Sequence, residues 1–221
     1  MREIYFTRDS IEGQAAQLLR QVNDQVRRAP LPFLPGQSAL LVLDMQSYFL
    51  DPASHAYIPS ARAIVEGITQ LVEAYYSLGR PVLFTQHINT GQDARMMSRW
   101  WKDMITAQNP LHGIIPALDL GKGTLIQKSQ YDAFHQTPLE DMLQASQVRQ
   151  LVLCGVMTHL CCETTARSAF MRSFEVFFTI DGTATYNETF HRASLTNLAH
   201  GFAVPVLTSD LLSILESYDP G

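Results

Sequence analysis

At 221 residues, with 46% hydrophobic and 17% charged side chains, the chain suits one globular domain with a sizeable core, or one domain plus an arm. A formal net charge of -5 offers no basic patch for nucleic acid or an anionic membrane, and no apolar run approaches the roughly 20 residues of a spanning helix. Three cysteines are an odd number that argues against a disulfide framework and suits a reducing cytoplasm; Met1-Arg2-Glu3-Ile4-Tyr5-Phe6 lacks the apolar core of a secretory signal.

Residues 1–36 read as a helical arm ahead of a domain over 37–221. Between Ser10 and Arg28, the apolar residues Ala15, Leu18, Leu19, Val22 and Val26 recur at helical spacing, and Pro30, Pro32, Pro35 and Gly36 end the helix. Its apolar stripe packs on the domain or on a partner subunit.

Ser38–Leu43 is an apolar strand ending on Asp44, followed by a loop through Met45-Gln46-Ser47-Tyr48-Phe49. Pro59 to Leu78 predicts a helix with Ile64, Ile68, Leu71, Val72 and Tyr75 on one face and Gly79 as its stop. A second strand over Val82–Thr85 leads to His87 and Asn89. Residues 90–122 form a long connection carrying Arg95, Arg99, Trp100, Trp101 and Lys102. Connections of that length carry function or an interface. The choice here is between an ordinary exposed interface and a lid that brings cations to an acidic substrate. The third strand, Thr124–Gln127, delivers Lys128 at its end; Tyr131-Asp132-Ala133-Phe134 follows, and a helix starting at Thr137-Pro138 runs to Ser146.

Gln150–Cys154 is the fourth strand; it breaks at Gly155 and restarts as a helix to Arg172, with Thr158 as the expected cap and Cys161 near the helix start. A strand over Val176–Asp181, a helix over Thr189–Gly201, a short strand Val204–Leu207 and a helix from Asp210 to Tyr218 complete the chain. Pro205 predicts an edge position for the last strand. Strands alternating with helices predict an α/β fold. Its form is a three-layer, mostly parallel six-stranded Rossmann-like sheet with helices on both faces.

Ligands bind such sheets beyond the carboxyl ends of the strands. Four chemically useful residues fall there: Asp44, His87, Lys128 and Cys161. A thiol at a helix start sees unpaired backbone N–H groups, which favour thiolate and can hold an oxyanion. Asp44 can exchange a proton with Cys161 while Lys128 holds charge and orientation. Cys154, inside the apolar run, belongs to the core, and Cys162 points away from Cys161 on the helix.

Three motifs carry a family likeness: Leu43-Asp44-Met45-Gln46 with Tyr48-Phe49, Gln127-Lys128 with Tyr131-Asp132-Ala133-Phe134, and Gly155-Val156-Met157-Thr158-His159-Leu160-Cys161. In this order and spacing, over residues 38–215, the chain resembles the isochorismatase-like cysteine hydrolases, which include nicotinamidases, N-carbamoylsarcosine amidases and isochorismatases. The resemblance implies Asp44, Lys128 and Cys161 as a catalytic triad. It also implies a cis peptide between Val156 and Met157 and an oxyanion hole from the backbone N–H groups of Met157 and Cys161. Phe49, His87, Arg95, Trp101, Tyr131 and Val156 are the expected substrate-binding positions. His87 either hydrogen-bonds substrate or packs.

Nicotinamidases carry a metal held by an Asp, a His two residues later and a further His. Here His87 and Asn89 stand at the first two of those places, so no metal and no cofactor is expected. The segment through Phe134-His135-Gln136-Thr137-Pro138-Leu139 is more like isochorismatases, which cleave a vinyl ether without needing the cysteine. Cys161 and the presence of Met157 where those enzymes tend to have Tyr favour cleavage of a C–N bond in a small amide or carbamoyl substrate. Isochorismate hydrolysis is the alternative, and a non-catalytic ligand-binding or partner-binding member is the reading from another class. The expected partner is a small molecule, without nucleic acid or membrane, and the resemblance implies a homo-oligomer.

Overall fold

The computed structural model describes residues 2–24 and 31–219. Six strands, β1 (Ser38–Leu43), β2 (Val82–His87), β3 (Thr124–Lys128), β4 (Gln150–Val156), β5 (Glu175–Ala184) and β6 (Val204–Val206), form one sheet in the order β3-β2-β1-β4-β5-β6. Every pairing in it is parallel. β1, β2 and β4 are buried along their whole lengths, which explains their continuous apolar runs. The edge strand β3 alternates instead, with Ile126 and Lys128 facing inward. Pro205 stands in the opposite edge strand, where its missing N–H interrupts no ladder.

Eight α-helices occur among the described residues: α1 (Ile11–Asn23), α2 (Ser47–Leu50), α3 (Val65–Ser77), α4 (Met97–Trp100), α5 (Leu139–Ala145), α6 (Glu163–Met171), α7 (Glu188–Gly201) and α8 (Thr208–Ser217). The helix expected from Pro59 opens as a 3-10 turn over Pro59–Ile64 before becoming α3. The helix expected to reach Arg28 ends at Asn23; Val26, Arg28 and Pro30 lie outside the described residues. Ala15, Leu18 and Val22 of α1 share one hydrophobic core with Tyr5, Phe6 and the central strands. Among the described residues, no helix is long and apolar enough to cross a membrane.

The sheet order places the topological switch point between β1 and β4, since the chain winds outward through β2 and β3 and then returns to the other side of β1. Ligand sites form at such points because the flanking connections diverge and leave a crevice. Asp44 leaves β1 and Cys161 lies just beyond β4, so the two flank that crevice.

Gly155 sets how closely these strand ends approach. It pairs with Leu43, has φ +114, and a Cβ placed on it would lie 2.0 Å from the Leu43 carbonyl oxygen. Only glycine adopts that backbone angle without penalty, and only glycine fits that contact. Gly155→Ala is expected to destabilise the fold by more than about 3 kcal/mol, read as a lower denaturant midpoint or as loss of soluble protein; a midpoint within error of the parent would refute the argument.

Candidate active site

Asp44 follows β1 with φ 50, a left-handed conformation that Asp tolerates better than most residues. Its carboxylate is fully buried. Oδ1 accepts a 2.6 Å hydrogen bond from the Thr85 hydroxyl, within β2. Oδ2 lies 2.8 Å from Lys128 Nζ but receives no well-aligned hydrogen bond, so it keeps a lone pair for another proton. Lys128 Nζ donates to Cys161 Sγ at 3.3 Å and to the Gln130 carbonyl at 2.9 Å, and lies 3.5 Å from His87 Nδ1. One atom each from Asp44, His87 and Cys161 gathers within 4.8 Å, with the ammonium among them.

Burial alone would raise the Asp44 carboxyl. The charge of Lys128, 2.8 Å away, outweighs it and holds the group below the usual carboxylate range. Burial would lower the Lys128 ammonium, yet Asp44 and Cys161 carry it above the usual lysine range. The pair therefore stays ionised across neutral pH. Asp44 contributes stability above the ordinary carboxylate pKa and loses it as pH falls through its depressed value. Lys128 contributes below the ordinary lysine pKa and loses it as pH rises through its elevated value.

Cys161 departs from the expectation of a helix-start thiolate. It sits in a π-type turn, Thr158–Cys162, immediately before α6. Burial pushes its thiol well up and Asp44 pushes the same way, outweighing the opposing pull of Lys128. The resting sulfur is protonated beside an ionised carboxylate. Burial beats the helix terminus because desolvating a thiolate is penalised more than a partial backbone charge returns. The Thr158 side chain does not cap α6 either; its hydroxyl is 3.0 Å from His191 Nδ1, while His159 Nδ1 pairs with the Thr185 hydroxyl at 2.6 Å. The Val156–Met157 peptide is cis.

His87 Nε2 lies 2.8 Å from Asn89 Oδ1. Asn89 Nδ2 donates to the Ser129 carbonyl, which turns the amide oxygen toward His87 and makes Nε2 the protonated ring nitrogen. Burial first, then Lys128, push His87 down to about 4, so it is neutral. Gln46 bonds both the N–H and the carbonyl of His87, holding the end of β2 as a neighbouring strand would. The Tyr131-Asp132-Ala133-Phe134 segment is tied to α6: the Ala133 N–H donates to Thr165 and the Ser168 hydroxyl to Asp132.

These side chains do not suit a metal of the nicotinamidase kind. Among the described residues, His87 is the one imidazole clustered with Asp44 and Cys161; its Nε2–H is committed to Asn89 and its Nδ1 faces an ammonium. The other candidate donors, Asp44 and Cys161, already surround Lys128 Nζ, whose charge would repel a dication placed there.

A cleft of about 550 Å3, including its open mouth, leads to Cys161. Phe49, His87, Trp101 and Tyr131 line it, as does Met157. Arg95 and Val156 do not: Arg95 is exposed just before α4, and Val156 is fully buried at the end of β4. Met97 and Trp101 face the cleft, whereas Trp100 is 76% exposed. The 88–122 connection is thus a cleft wall that turns its arginines outward. Tyr48, His55, Asp103 and Tyr186 also line the cleft and were not expected. The Tyr48-Phe49 motif offered a signal for the first; the other three lie in loops without periodicity.

The profile of the Isochorismatase domain matches residues 38–210. The chain belongs to the isochorismatase family. It is 37% identical to Nicotinamidase 3 of Arabidopsis thaliana over 171 residues, covering 75% of this chain and 82% of that protein. It is 31% identical to Enterobactin synthase component B of Escherichia coli (strain K12) over 183 residues, covering 81% of this chain and 64% of that longer protein. The crystal structure of a cysteine hydrolase from Pseudomonas syringae pv. phaseolicola 1448A superposes with a TM-score of 0.79 at 26% identity, covering 86% of this chain and 98% of that one. The chain is accordingly an isochorismatase-like cysteine hydrolase with the α/β sheet of that family.

Two expectations follow from the site. Iodoacetamide should label Cys161 in the native protein and spare Cys154 and Cys162, which are wholly buried. Because the thiol is elevated, the labelling rate should keep climbing from about pH 7 to pH 9, as read by mass spectrometry; a plateau below neutrality would contradict a protonated resting sulfur. Dialysis against EDTA should leave hydrolytic activity unchanged, and a loss restored by zinc would overturn the donor-set argument.

Proposed function

We propose that the protein hydrolyses the C–N bond of a small amide or carbamoyl substrate through a thioester on Cys161. The observation that carries this reading is the buried contact set in which Lys128 Nζ touches both the Asp44 carboxylate, at 2.8 Å, and the Cys161 sulfur, at 3.3 Å. A vinyl ether needs only a proton donor, whereas a thiol beside an ionised carboxylate is equipped to attack a carbonyl carbon.

Substrate enters the cleft with its carbonyl carbon against Sγ. Asp44 takes the thiol proton as the sulfur attacks, so the thiolate forms only as it is consumed. The N–H groups of Met157 and Cys161 receive the resulting oxyanion. The protonated Asp44 then gives its proton to the leaving nitrogen, ammonia or an amine departs, and a thioester remains. Asp44, ionised again, activates a water that attacks the thioester carbon; the acid leaves and the proton returns to sulfur. Lys128 keeps Asp44 ionised at the start of each half-reaction.

Isochorismate cleavage receives less support. That substrate carries two carboxylates, and no Lys or Arg stands among the described residues lining the cleft.

A panel of small primary amides should release ammonia with the parent protein. Cys161→Ala should lower kcat by at least about 10^3-fold, and brief reaction of the parent should trap an acyl adduct on residue 161 visible by mass spectrometry. Pyruvate release from isochorismate that survives Cys161→Ala, with no ammonia from any amide, would reverse the assignment.

A further inference from the structure

The walls of the cleft are unusual in their charge. Trp101, Tyr131, Tyr48, Phe49 and Tyr186 present aromatic rings to it, and the polar edges of two of these are tied to each other, since Trp101 Nε1–H donates to the Tyr131 hydroxyl at 2.6 Å. That bond satisfies the indole N–H and leaves the Tyr131 hydroxyl its own proton to donate, with ring surface of both residues on the cleft. Aromatic faces carry partial negative charge and attract cations.

Among the described residues lining the cleft, Asp103 is the one carboxylate, and no Lys or Arg accompanies it. Its Oδ1 accepts the Met104 N–H at 2.9 Å. Its Oδ2 has two loose neighbours, the Tyr48 hydroxyl at 3.4 Å and His55 Nδ1 at 3.9 Å. The side chain is half exposed and lines the cleft. The nearby cations do not offset it: Lys102 is turned to solvent, Arg2 stacks on Tyr186 at 5.0 Å without lining the cleft, and Lys128 is committed to Asp44 beneath the sulfur. Cys161, these rings and Asp103 line one cleft.

We propose that the cleft selects its amide substrate by charge, preferring one whose far end is cationic (a protonated amine or a quaternary nitrogen) and refusing anionic ones, with Asp103 as the residue that sets the preference. The inference rests on the amide-hydrolase reading above and narrows it to a substrate class.

Three carboxamides identical except for a trimethylammonium, tert-butyl or carboxylate group at the far end provide the test. The first two match in shape and differ in charge. In the parent protein, kcat/KM from ammonia release should fall in that order, with the cationic amide ahead of the anionic one by at least about tenfold. Asp103→Asn keeps the acceptor for the Met104 N–H and removes the charge; it should shrink the cationic-to-anionic ratio by about fivefold, while added salt narrows the parent's ratio as well. Equal rates for the cationic and anionic amides, or a ratio that Asp103→Asn leaves unmoved, would overturn the proposal.

If none of the three releases ammonia, charge selection is read without turnover, and the amide-hydrolase reading itself fails only where the wider amide panel is silent as well. The same three compounds are then compared for protecting Cys161 from iodoacetamide. Protection strongest with the trimethylammonium compound and weakened by Asp103→Asn supports charge selection, and equal protection by all three refutes it.

Discussion

One ammonium group, with no access to solvent, organises the site. Lys128 Nζ lies within 3.5 Å of an Asp44 oxygen, the Cys161 sulfur and a His87 nitrogen. A charge buried that deeply is tolerated only with a partner, and removing one member of such a pair costs about 3–5 kcal/mol. The pairing fixes three protonation states together: Asp44 ionised, His87 neutral and Cys161 a thiol. It also puts a monovalent cation among donors that could otherwise have gathered a metal.

The fold supplies this arrangement through the closeness of two strand ends. Gly155 lets β4 approach Leu43, the residue before Asp44, and the turn beyond it carries Cys161. Thr85 in β2, Asn89 just beyond it and Gln46 in the loop after β1 then hold the carboxylate and the imidazole. None of these three touches the sulfur, yet each removes a freedom that would let the buried charges part. Stability and reactivity depend on the same hydrogen bonds.

Above this rigid floor the walls are of another kind. They come from loops, and their aromatic side chains and one carboxylate give the entrance a negative character. Relatives of this chain carry the names of different activities, a nicotinamidase and a component of enterobactin synthase among them.

Much was legible in the sequence because burial on both faces of a central strand demands an unbroken apolar run. Asp44, His87 and Lys128 stood out as polar residues at the ends of such runs, and Cys161 as a thiol after a glycine break. Tertiary structure decided what periodicity does not encode. It decided that β1 and β4 are neighbours, because strand order depends on which crossover the helices allow. It decided that the sulfur rests protonated, because desolvation depends on every group packed around it. Arg95 turns to solvent, Val156 sinks beneath the floor, and His55, Asp103 and Tyr186 enter the cleft. Loop residues owe their positions to contacts with distant segments, and no local pattern in the chain records those contacts.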